Sequence, residues 1–172
     1  MAPGVRISGP LKWYAVANGL LQAIQPNLPV SVNRSGVVFG AFADDEPDCG
    51  SLVAAVETVF LSDDFPMPLA APFGNCEPPY EVAEIAVQLQ RCAPIGTPGS
   101  QDISPKAEVL DDYAQLRLAD GYAVLTSVTS QLCQWQENYQ IINHLVGAVT
   151  PIGPSGAVAS VELRVEVCLD RS

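Results

Sequence analysis

The sequence predicts an α+β domain: an antiparallel sheet of about four strands, with one long helix packed on one face and an N-terminal helix. Three observations predict it. Segments 81–92 and 159–169 alternate apolar and polar residues, as half-buried strands do. Between them, Leu110, Ala114, Leu118, Gly121, Leu125, Val128, Leu132 and Trp135 recur at three- and four-residue spacing, the period of a helix. A second apolar stripe of that period runs from Leu11 to Ile24.

The N-terminal helix is expected over 10–25, because Pro10 suits a first turn and Pro26 ends the run. Gly19 weakens its middle by about 1 kcal/mol relative to Ala. Residues 26–50 are irregular, with 30–32 and 36–39 as short edge strands and 44–48 as an acidic, solvated turn. A Val-rich strand over 51–62 is closed by Asp63-Asp64-Phe65-Pro66, which opens a Pro-rich loop over 63–80. The strand 81–92 places Ala83, Ile85, Val87 and Leu89 on one side. Ser104 is the expected N-cap of the long helix and Pro105 its first residue, with Glu108, Asp111 and Asp112 complementing the dipole. Past it, 139–143 and 145–150 read as short strands, 150–156 as a turn, and 141–169 as a hairpin. Glu162, Arg164 and Glu166 share the solvent face of the last strand, where alternate charges support one another weakly. The expected core is Ile85, Val87, Leu89, Val161, Leu163, Val165 and Val167, covered by Leu110, Leu118, Leu125 and Val128. Residues 1–172 form one domain, with 1–9 as an arm.

Composition narrows the function class. The chain has 172 residues, 8 Lys+Arg against 19 Asp+Glu, and a formal net charge of −11. That balance, with no basic run, argues against gripping nucleic acid, whose phosphates need clustered Lys and Arg. No apolar stretch approaches the roughly 20 residues that span a bilayer. No targeting block follows Arg6 and Lys12, so synthesis in the cytoplasm is expected. Cys92, Cys133 and Cys168 sit in apolar segments and read as structural thiols. Cys49 and Cys76 fall in loop-like sequence, where a bridge between them stays open. His144, the one imidazole, has no Cys placed near it and reads as a turn or packed histidine. Zinc-ligand spacing, an EF-hand pattern, a P-loop and GxSxG are all absent. Residue chemistry alone assigns no catalytic, cofactor or metal residue.

The second half carries a resemblance. A strand ends in Arg91-Cys92-Ala93-Pro94, and a Pro/Gly loop follows. Next come a long helix bearing Asp120-Gly121-Tyr122-Ala123-Val124-Leu125 and the turn Thr150-Pro151-Ile152-Gly153-Pro154-Ser155-Gly156. Val161-Glu162-Leu163-Arg164-Val165-Glu166-Val167 closes the series. Over residues 80–169 this order resembles the tail terminator proteins of long, flexible-tailed (siphovirus) phages, especially those infecting actinobacteria. The resemblance implies a non-enzymatic virion protein, without cofactor, assembled as a hexameric ring. Such a ring caps the tail tube, joins it to the head connector, and lets DNA pass without specific binding. It brings no catalytic residue.

Two expectations follow for a ring. The loop over 66–79 and the 1–9 arm contact neighbouring subunits, with Met67, Leu69 and Phe73 as interface residues. Asp44, Asp45, Glu46, Asp48, Asp63 and Asp64 line an acidic channel that offers DNA no phosphate contacts. The competing readings are another neck component such as a head-to-tail stopper, a small Cys/His-dependent enzyme, and a small-molecule-binding domain. Self-association without turnover separates a ring protein from a thiol enzyme, which needs a fast-alkylating Cys.

Overall fold

The computed structural model describes residues 7–41, 50–69, 78–94, 105–155 and 158–171. The elements run α1 (Lys12–Ile24), β1 (Arg34–Phe39), β2 (Ser51–Ser62), β3 (Tyr80–Cys92), α2 (Ala107–Glu137), β4 (Asn143–Ser155) and β5 (Val158–Asp170). The fold is α+β, with both helices on one face of a five-stranded sheet of order β1-β2-β3-β5-β4. The sheet is mixed rather than wholly antiparallel: β1 lies parallel to β2, and all other pairs are antiparallel.

The expected 36–39 strand forms as part of edge strand β1, whereas 30–32 does not become a strand. Of the two short strands expected after α2, 145–150 forms within β4 whereas 139–142 does not become a strand, and β4 continues to Ser155 where a turn was expected. Prolines 151 and 154 fit there because β4 is an edge, where a missing N–H costs no ladder hydrogen bond. Pro105 precedes α2 instead of opening it, and Lys106 occupies the N-cap without a side-chain cap. The expected N-cap, Ser104, lies outside the described residues.

All seven expected sheet residues are buried in the core. Their cover differs. Val128 is buried and Leu125 packs against the core, but Leu110 and Leu118 are exposed. Residues of α2 become buried only from Asp120 onward, with Tyr113, Leu116 and Arg117 half-buried before it and Arg117 donating to the Ser160 carbonyl of β5. Val124, Leu132 and Trp135 provide the cover, beside Val16, Leu20, Leu21 and Ile24 of α1. Ile7 of the predicted arm also packs against its own core.

The helices meet at Gly19. A β-carbon there would lie 2.7 Å from the Trp135 ring, so the residue that weakens α1 locally admits the indole. Gly19→Ala is expected to lower stability. Overpacking costs about 1–3 kcal/mol, against a helix gain of about 1 kcal/mol. Equilibrium denaturation checks the sign, and Trp135→Leu in the same chain should turn the alanine into a gain.

A buried ion pair fixes α2 on the sheet. Arg91, at the end of β3, donates from Nε and Nη2 to the two carboxylate oxygens of Asp120, both at 2.9 Å. The same guanidinium donates to the carbonyls of Ser31 and Val30, tying down the chain between α1 and β1. Arg91 is 6% exposed and Asp120 0%. Two of the segments on which the resemblance rests thus meet through these residues.

Candidate functional site

The face of the sheet away from the helices carries a charged groove. Along one row, Thr58, Glu84, Glu166 and Leu145 stand side by side on β2, β3, β5 and β4. In the next row Ala86 pairs with Arg164, opposite the irregularity between Val146 and Val149 of β4. A second irregularity, between Val56 and Thr58 of β2, brings Glu57 into reach of Arg164. Bulges bend a strand and re-aim side chains in this way. Gly147 eases the close approach at the β4 bulge, where a β-carbon would sit a tight 3.0 Å from the Arg164 carbonyl oxygen. The resulting groove has a volume of about 380 Å³, with Glu57, Glu84, Glu166 and Arg164 as its charged lining and Leu145 as an apolar wall.

Its charges do not balance. Arg164 donates to Glu57 and to Glu162, the latter at 2.8 Å, so one cation serves two carboxylates. Those contacts hold the guanidinium pKa above its ordinary value. Glu84 accepts from the Thr58 hydroxyl, and Glu166 has no cationic partner among the described residues. Glu84 and Glu166 are directly opposed across the β3–β5 ladder, a destabilising arrangement for like charges. Burial, and then the facing Glu84, push the Glu166 carboxyl above the usual range. Alternation placed Glu162, Arg164 and Glu166 on this face. The Glu57 and Glu84 neighbours needed the register.

The sign of the pH effect follows. A carboxyl with a raised folded pKa contributes fully below its unfolded pKa, and that contribution is lost as pH rises through the folded pKa. Glu166→Gln should therefore stabilise the protein at about pH 7 and change little at about pH 3, below the ordinary Glu value. Denaturation midpoints at the two pH values test this.

Of the residues expected at subunit contacts and in a channel, Met67, Leu69, Asp63 and Asp64 are described, and none of them lines the groove. Met67 is 63% exposed, at the end of a turn in which its N–H donates to the Asp64 carbonyl. Leu69 is half-buried and donates to Leu61, and Pro78 is buried, so both ends of the expected contact loop pack on their own chain. Asp63 and Asp64 are exposed just past β2. Phe73, Asp44, Asp45, Glu46 and Asp48 lie outside the described residues.

The thiols divide three ways. Cys168 is a buried free thiol, and burial, with Asp170 nearby, pushes its pKa up to about 11. Cys133 is free but exposed, because the final turns of α2 present it to solvent. Cys92, expected as a buried thiol, is exposed and disulfide-bonded; it sits where β3 runs out of the sheet. Cys49 and Cys76 lie outside the described residues. His144 pairs with Val167 on the helix face, whereas Cys168 pairs with Asn143 on the opposite face, so the sheet separates imidazole from thiol. Burial lowers the His144 pKa, and its Nδ1 has no hydrogen-bond partner.

Among the described residues, no three His, Cys, Asp or Glu converge as metal ligands, and no helix is long and apolar enough to cross a membrane. Apolar side chains instead remain exposed along α2: Val109, Leu110, Leu118 at 76% and Tyr122 at 72%. The spacing of Leu110, Ala114, Leu118 and Tyr122 sets them on one face of the helix. In comparison with known proteins, no family model and no curated protein matches the chain.

Proposed function

We propose that this chain is a virion structural protein, a tail terminator of a long, flexible-tailed phage. Six copies form a ring that caps the tail tube and joins it to the head connector. The observation that carries the reading is the exposed apolar face of α2, where Leu110, Leu118 and Tyr122 stand beyond the protomer's own core. Apolar groups set together on a surface mark contacts with other proteins. The meeting of Arg91 with Asp120 supports it further, because two of the segments that carry the resemblance form one buried joint. The acidic balance suits a ring through which DNA passes without being held.

Light scattering on the purified protein, with negative-stain class averages, tests the proposal. The expected result is a closed ring of six copies that does not bind duplex DNA at low salt. A protein that stays monomeric at high micromolar concentration, or that binds DNA tightly, overturns it.

A further inference from the structure

We propose that the groove on the open sheet face receives Lys106 of a second copy of this chain, placing its ammonium between Glu84 and Glu166. This contact rests on the ring reading above and specifies how adjacent copies would meet. The groove needs a cation: two carboxylates are directly opposed, and Arg164 is already engaged by Glu57 and Glu162. An ammonium has three donors, enough to bond at once Glu166 and the Glu84 carboxylate, which among the described residues accepts only from Thr58. A partner's ammonium would also offset the repulsion from Glu84 that helps to raise the Glu166 pKa.

Lys106 is the cation suited to it. It is exposed, has no ion-pair partner among the described residues, and stands at the N-terminal end of α2, where the helix dipole disfavours positive charge. No residue of α2 before Asp120 is buried, and the segment 107–116, about 15 Å long at 1.5 Å per residue, is exposed apart from the half-buried Tyr113 and Leu116. Val109 and Leu110 are exposed beside it, and the exposed Leu145 borders the groove next to Glu166. Charge would thus meet charge while apolar residues meet an apolar wall. Within one protomer the helix lies on the opposite face from the groove, so Lys106 is matched with a neighbour's carboxylates. A tip-to-groove contact is heterologous, the kind that closes into a ring when its rotation permits.

Charge reversal tests the pairing. Lys106→Glu and Glu166→Lys should each weaken self-association at least tenfold in sedimentation equilibrium, with the far-UV circular dichroism spectrum unchanged. The chain carrying both reversals should recover assembly, and carbodiimide should cross-link Lys106 of the wild type to the Glu84 or Glu166 peptide between subunits. Single variants that assemble like wild type overturn the contact and leave the ring reading standing. Loss in the singles without recovery in the double reversal also overturns the pairing. A monomeric wild type overturns contact and ring together.

Discussion

Asp120→Ala is expected to destabilise the protein by about 3–5 kcal/mol, the range for removing one partner of a buried ion pair. The carboxylate is fully buried and accepts two hydrogen bonds from a guanidinium that is itself nearly inaccessible. Without it, Arg91 would hold a buried charge against only the carbonyls of Val30 and Ser31. For a chain of this length the thermal midpoint should fall on the order of 10 °C. Asp120→Asn should also destabilise, because its amide turns a donor toward a donor. The double variant Arg91→Met with Asp120→Leu should recover most of the loss, since an apolar pair of similar volume removes the stranded charge. Full recovery is not expected, because two carbonyls of the α1–β1 connection would lose their donors. An Asp120→Ala loss below about 1 kcal/mol would show that the guanidinium finds other partners or water.

The second large effect is expected at Leu163. It is fully buried at the middle of β5, pairs with Val87 on one side and Val149 on the other, and belongs to the core under the helices. Leu163→Ala should cost about 2–5 kcal/mol, combining lost transfer energy with the cavity left behind. Strands flank it on both sides, so relaxation into the space is restricted and the upper half of that range is expected. Reversible denaturation with an unchanged m-value is the appropriate measurement. A change below half a kcal/mol would contradict the register.

Neither effect has the same origin in the sequence. Leu163 was legible because strict alternation from Val161 to Val167 sets one face of a strand without reference to any other segment. Asp120 interrupts the apolar stretch from Leu118 to Val128, yet nothing local says that it shares a hydrogen bond with Arg91, 29 residues earlier. The candidate groove divides in the same manner. Alternation put Glu162, Arg164 and Glu166 on one face, while the opposition of Glu84 to Glu166 depends on the β3–β5 register.

By itself, the sequence determined the α+β class, β2 from 51 to 62, the apolar faces of β3 and β5, and the existence of both helices. Those features arise from side-chain periodicity, a property of consecutive residues. Tertiary structure alone decided that β1 joins in parallel and that β5 enters between β3 and β4. Pro151 and Pro154 read as turn residues from the sequence, and only the place of β4 at the edge of the sheet makes them compatible with a strand. Tertiary structure also decided which side of α2 meets the sheet. Leu118 stands between Arg117, which donates to the Ser160 carbonyl of β5, and the buried Asp120, so it is exposed because it faces away from the sheet that Val128 faces. Burial depends on what lies opposite a residue, which periodicity does not encode.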